Sequence, residues 1–320
     1  MKGLYTQGIA ILTQQPVKLD ELRPLLSEYR MLRTLEPSGD WPIGGPTAVV
    51  SYREEVNGMV TIDTVDRQWP DGMGDPKNEP TLFAAWSMGY FGPFAYPGGL
   101  MRSIQQAWAW QEAKTVVPQH RAFIRLRTTY ALGLPSGAPI ISSDYDSLHE
   151  LDFLIGLAQK ILRHPAALCY FNPNGEVLAS ANGLNNSVGY HRKHGLPPLD
   201  LFSNVRMFSV TPEWLLMDTV GCKQLDMADQ EAAFPKRMFK PKDIAVFLQN
   251  TAFYVLRAAR EIDDHDTIEG PGNVHWQVIR FAKAVTEPPR EALCWVPQDT
   301  HPIPEQITNR ERGSQTLVSR

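Results

Sequence analysis

The chain has 320 residues, of which 43% are hydrophobic and 21% charged, with a formal net charge of -4; this is the composition of a globular protein with room for one large or two smaller cores. The acidic balance weighs against a nucleic-acid partner, since Lys and Arg drive phosphate binding, and no stretch reaches the roughly 20 apolar residues that span a bilayer. Three widely spaced cysteines, Cys169, Cys222 and Cys294, odd in number, fit buried thiols in a reducing cytoplasm.

The N-terminal apolar run ends in Gln14-Gln15-Pro16 and has no small-residue cleavage site, so it reads as a mature strand at 8–13 and not as a signal peptide. Asp20 is placed to cap a helix over 21–30, with Leu22, Leu25, Leu26 and Tyr29 on one face and Pro24 in its first turn. A Gly/Pro loop at 41–46 leads to strands at 47–52 and 59–65 around Asn57-Gly58, a strong hairpin signal. Helical pieces are expected at 81–89 and 98–110, then an alternating strand at 121–130. The order βαββαβ is that of a ferredoxin-like unit. A long amphipathic helix, capped by Asp146 or Ser147 and running to His164, is expected to join two halves. Strands at 166–171 and 176–180 flank the tight turn Asn172-Pro173-Asn174-Gly175. A polar Asn/Gly segment follows, with room for one short helix. Then come a hairpin (204–210 and 214–220), an acidic loop at 226–231, a helix at 242–260, and strands at 276–285 and 292–296. The polar, aperiodic stretch from Gln298 onward reads as disordered.

A repeat organises these elements. Ile62-Asp63-Thr64-Val65 returns 155 positions later as Met217-Asp218-Thr219-Val220, and the same offset lays 47–52 on 202–207. The expected fold is therefore α+β, with two ferredoxin-like (βαββαβ-type) halves carrying antiparallel sheets. They span 1–135 and 166–297, with the connecting helix in 136–165 and a tail at 298–320. Matching aspartates, Asp63 with Asp71 and Asp218 with Asp226, would anchor equivalent turns.

Three groups of residues bear on chemistry. Asp63, Asp66, Asp71 and Asp75 are clustered carboxylates of the kind that ligate Mg²⁺ or Ca²⁺. The alternative is that Asp63 and Asp71 accept backbone N–H groups while Asp66 and Asp75 are solvated turn residues. The second copy keeps only two of these carboxylates, which favours turn anchoring. Aromatic residues crowd between Trp69 and Trp110, including Phe94 and Tyr96. They form either an interaction surface or core under an irregular loop. Arg125 and Arg127 share one face of a strand and Arg102 opens a helix. They can hold a phosphate or carboxylate ligand, or pair with Asp63 or Asp66 inside the fold. No nucleotide-binding, hydrolase or zinc signature is present, and no cofactor is implied.

The run 217–232 resembles the bacterial domain-of-unknown-function family numbered 4261. Thr219, Gly221, Leu225, Asp229 and Glu231 fill its Thr-x-Gly and following acidic positions, and Met227-Ala228 stands where the family tends to carry Leu-Pro. Asp266-Thr267-Ile268-Glu269-Gly270 looks like its last turn without the Gly beside the Asp. The resemblance implies a cytoplasmic bacterial α+β protein and no activity. Two functional readings follow. One is a protein-interaction or immunity-like binding module, with Trp69, Phe94, Tyr96, Arg102, Arg125 and Arg127 as candidate contacts. The other is a metal-dependent hydrolase or transferase built on the acidic loop at 63–79.

Overall fold

In a computed structural model, which describes residues 2–37, 43–135, 137, 139–258, 262–298 and 301–313, the chain divides into two compact units, Met1–Phe202 and Ser203–Arg320. No helix among the described residues is long and apolar enough to cross a membrane.

The first unit holds seven strands: β1 (Gln7–Thr13), β2 (Met31–Leu35), β3 (Thr47–Arg53), β4 (Gly58–Val65), β5 (Ala122–Thr129), β6 (Ala167–Asn172) and β7 (Val177–Ala179). They form one antiparallel sheet in the order β2-β3-β4-β5-β1-β6-β7. The α+β class is as expected, but the ferredoxin-like order is not what forms. That order would seat β1 beside β4, whereas β5 lies between them. The segment between β4 and β5 does not cross over as a single helix. It folds back as a pad carrying α2 (Pro80–Ser87), α3 (Gly99–Gln105) and α4 (Ala113–Val116), and β5 returns as the antiparallel neighbour of β4.

The first helix, α1, is only Leu19–Leu22. Starting at 19 rather than 21 puts Pro24 beyond the first turn, where its missing N–H and its ring interrupt the helix. The chain continues in turns to the edge strand β2, which the sequence pattern hid because its side chains are mostly exposed.

The helix α5 (Ser147–Ile161) is capped as expected, with Asp146 accepting from the N–H groups of Leu148 and His149. It packs on this sheet, burying Leu151, Leu154, Ile155 and Ile161. The expected division at 165/166 falls inside the unit, because β6 pairs with β1. The Asn/Gly segment forms a 14-residue helix, α6 (Ala181–His194), with Ser180 accepting from Gly183 N at its start.

The second unit has six strands in the order β11-β12-β13-β10-β9-β8. They are β8 (Asn204–Ser209), β9 (Trp214–Val220), β10 (Asp229–Pro235), β11 (Thr267–Gly270), β12 (Val274–Phe281) and β13 (Ala292–Pro297). One pair, β10 with β13, is parallel, so this sheet is mixed. The helix α7 (Pro241–Ala258) covers one face, where Ile244, Phe247 and Leu248 meet Leu215, Met217, Trp276 and Trp295. The expected helix end at 259–260 lies outside the described residues. The second half of the expected acidic loop at 226–231, from Asp229, is the start of the central strand β10, every residue of which is buried.

The stretch from 298 is not uniformly irregular. Residues 301–313 contain α8 (Glu305–Thr308), whose Ile307 is buried with Trp214, Leu216, Phe281 and Val296 on the sheet face opposite α7. A backbone bridge joins Phe281 to Arg312. Its remaining parts, 299–300 and 314–320, are outside the described residues.

Asp63 and Asp218 each lie two residues before the end of their strand, β4 and β9, but the strands before them do not correspond. Asp63 faces Thr47 across its hairpin and Asp218 faces Arg206. The separations are therefore 16 and 12 residues, so the two hairpins differ in register by four. Phe202, the expected counterpart of Thr47, precedes β8.

Candidate functional site

The pad between β4 and β5 begins with Trp69. Its indole meets Trp86, Phe91, Phe123 and Phe171 with ring centroids 5.1–6.3 Å apart, mostly edge to face. Trp69 is therefore core and not a contact residue, and most of the aromatic crowding is this buried cluster. The backbone N–H of Trp69 donates to Nε2 of buried His120, whose Nδ1 faces the Val117 carbonyl at 2.7 Å. That arrangement requires a neutral ring, and burial holds its pKa below the usual value.

Four polar anchors pin the pad. Asp71 accepts from Leu100 N (2.8 Å) and Met101 N (2.9 Å), tying the loop after Trp69 to the start of α3. Arg102 donates from Nε to buried Glu176 at 2.8 Å and from Nη1 to the Pro97 carbonyl. Asn174 accepts from Phe94 N (3.0 Å) and donates to the Gly8 carbonyl (2.8 Å), so one amide joins the pad to β1. Gly92 lies against this amide at φ +139°, and a Cβ there would come within 2.5 Å of Asn174 Oδ1. The fourth anchor is the Tyr90 carbonyl, which both Arg125 Nη1 and Arg127 Nη1 reach. The turn residues Asn174 and Glu176 were not singled out as site residues in the sequence. Their signal is an Asn-rich turn that the fold buries completely, and burial cannot be read from turn chemistry.

The arginines are thus internal. Asp63, 1% exposed, takes Arg125 Nη2 at 2.6 Å and Arg127 Nη2 at 3.1 Å. Arg127 also stacks 3.9 Å from the centre of the Tyr5 ring. Burial by itself would raise the Asp63 pKa, but the two guanidiniums outweigh it and hold the carboxyl below the usual carboxylate range. Both arginines thus pair with Asp63 inside the fold.

The four loop carboxylates do not converge. Asp63 is enclosed by arginine and Asp71 is spent on α3. Asp75 accepts from its own loop at Lys77 N and Asn78 N. Asp66 is exposed and lines a cleft of about 680 Å³ with Asp20, Glu21 and Glu36. Among the described residues no three His, Cys, Asp or Glu side chains are placed to hold a metal ion. The metal-centred reading of 63–79 therefore lacks its donor set.

On its outside the pad exposes large apolar side chains among polar ones such as Arg67, Lys77, Glu79 and Glu112. Trp108 is 60% exposed, Met101 55%, Met88 50%, Tyr96 42% and Met73 38%. The Asp71 bonds, together with Gly98 N to the Asp71 carbonyl, bring the Met73 loop, Tyr96 and Met101 to the N-terminal end of α3. Phe94 is half-buried beside them.

The second unit repeats the theme of a carboxylate between two arginines. Asp218 accepts from Arg206 (Nε 3.0 Å, Nη2 2.8 Å), Arg290 Nη2 (2.5 Å) and Thr286 Oγ1 (2.5 Å). Arg290 and Arg206 oppose the burial that would raise this pKa, and it lies low. Asp229 accepts from Thr219 Oγ1 and Cys222 N, and so performs the loop-anchoring expected of Asp226, which instead ends a 3₁₀ turn at φ +60°. Glu231 takes Arg310 Nη1 at 2.8 Å and Val285 N at 2.8 Å. Burial pushes the Asp229 and Glu231 carboxyls up, against the nearby Arg290 and Arg310. All three cysteines are free and buried, and burial raises each thiol pKa, which removes thiolate character.

No curated protein and no solved structure is matched by the chain. Residues 218–296 match the model of a domain of unknown function (DUF4261). That span begins at Asp218 and ends within β13, and it contains Thr219, Gly221, Leu225, Asp229, Glu231 and the turn at 266–270. The C-terminal third of the chain thus carries the DUF4261 signature, with the buried Asp218–Arg290 pair and Glu231 inside it and the arginine partner of Glu231, Arg310, beyond it.

Proposed function

We propose that the chain is a protein-interaction module, of the kind that blocks or adapts another protein, and that the pad between β4 and β5 is its recognition surface. The observation that carries this reading is the contrast between the two sides of the pad. Its inner side is fixed by the Trp69 cluster and by Asp71, Asn174, Glu176 and the Arg125–Arg127 pair. Its outer side presents Met73, Met88, Tyr96, Met101 and Trp108. Methionine and aromatic side chains are enriched where proteins meet, and a surface ordered before binding loses less entropy on association. The three buried free thiols fit a reducing compartment for this activity.

The test is affinity purification of tagged chain from its native host under mild salt. A stoichiometric partner is expected with the native chain. Met101→Asp with Trp108→Asp should remove it, while Met238→Asp with Tyr254→Asp, on exposed positions of the second unit, should keep it. Loss with the second pair and retention with the first would refute the assignment of the surface.

A further inference from the structure

The face of the second sheet opposite α7 is covered by a short piece of chain. Ile307 is wholly buried there, packed with Trp214, Leu216, Ala233, Phe281 and Cys294, and Ile303 packs partly beside it. Three residues on, Arg310 lies 3.7 Å from the centre of the Phe281 ring and donates to buried Glu231 at 2.8 Å. Backbone bonds from Ala282 N to the Glu311 carbonyl (3.0 Å) and from Gly313 N to the Arg280 carbonyl (3.1 Å) align the segment with the end of β12. An apolar anchor, a charged anchor three residues later and main-chain pairing to a strand are the components by which folded domains take extended peptides.

Two further observations separate receptor from occupant. Most of the surface, Glu231, Ala233, Phe281, Cys294 and Val296, lies inside the matched span 218–296 with Trp214 and Leu216 just before it, and residues 303–313 lie beyond it. The occupant also rests on few anchors, since of residues 301–313 only Ile307 is fully buried. Without Arg310, the Glu231 carboxylate would keep a backbone N–H but lose its ion pair in a site where burial already raises its pKa. The surface therefore selects arginine at that position, not merely an apolar residue.

We propose that this face is a peptide-binding surface holding residues 303–313 of the same chain as an exchangeable ligand, and that it accepts the same Ile-x-x-Arg segment from a second copy. In cis the segment has the advantage of a high effective concentration, so exchange becomes visible once the tether is cut or the anchor weakened.

The experiment inserts a protease site between Gln298 and Pro302 of the full chain, cuts it after folding, and adds a fluorescent synthetic peptide of residues 301–313. The cut chain is expected to bind the peptide saturably at one per chain, with competition by unlabelled peptide. Peptides carrying Ile307→Asp or Arg310→Glu should bind at least tenfold more weakly. The uncut native chain should take up little. Failure of the cut chain to bind, or equal binding of the substituted peptides, overturns the proposal. Should cutting unfold the chain, uncut Ile307→Ala replaces it: uptake well above the native chain supports exchange, and uptake equal to the native chain refutes it.

Discussion

Two aspartates sit at corresponding places in β4 and β9, and each is locked by two arginines while almost fully buried. Removing one member of such a group strands the others in a low-dielectric site, a change that typically costs about 3–5 kcal/mol. Asp63→Ala should therefore lower the unfolding free energy in urea by about that amount, and a loss under about 1 kcal/mol would show that the pairs contribute little. The pH dependence follows from the direction of the shifts. Asp63 and Asp218 titrate below their unfolded values, so their stabilisation is complete above about pH 4. It is lost as pH falls through the lowered folded pKa values. Asp229 and Glu231 are shifted upward and act oppositely, with their contribution present below the unfolded pKa and lost as pH rises through the folded one. A pH series should show the native chain losing stability as pH falls below about 4, and Asp63→Asn losing less over that range; parallel curves would contradict this. That Arg125 and Arg127 share one face was legible from strand alternation, but their choice of Asp63 over Asp66 or a ligand was not, because the strand pairing that sets Asp63 opposite Arg125 appears only with the fold. The partners of Asp218 were not legible either, because Arg290 reaches it from a loop 72 residues away.

At the scale of elements, the legible parts were those with a strong local period or cap. The strands at 8–13, 47–52, 59–65 and 121–130 lie within a residue or two of their expected places, and the Asp146-capped helix starts where expected and ends three residues short of His164. β10 was hidden because Asp229 and Glu231 mark it as a loop on polarity, and the surrounding arginines, Thr219 and the N–H groups of Cys222 and Val285 make their burial tolerable. α6 was hidden by its Asn and Gly content, which lowers intrinsic helix propensity, and its start depends on the Ser180 cap. Ser180→Ala should cost about 0.5–2 kcal/mol, measured by thermal unfolding; no change would mean that tertiary packing alone holds the helix. The clasp around Asn174 predicts a larger loss. Gly92→Ala places a methyl group against Asn174 Oδ1 in a backbone conformation that favours glycine. It should destabilise by about 1–3 kcal/mol and speed hydrogen exchange at Phe94 N ahead of the β-sheet amides. Unchanged protection at Phe94 would argue that Asn174 does not pin the pad.

Over the whole molecule, each unit sets a long helix on one face of its sheet and irregular chain on the other, and each buries its aspartate–arginine group beneath that irregular cover. The α+β class was legible, but the strand order was not. Order depends on whether the segment after β4 crosses over or folds back as a pad, and its short helices with Gly and Pro between them do not decide that. The aromatic content of the pad was legible, while its division into a buried Trp69 cluster and an exposed Met101–Trp108 side became visible only with the fold. Recognition by the outer side of the pad is tested most directly by photo-crosslinking in the native host, with a photoreactive amino acid replacing Trp108 in one chain and Tyr254 in another. A single discrete adduct from position 108 and none from position 254 is predicted. An adduct from position 254 with none from position 108 would contradict it.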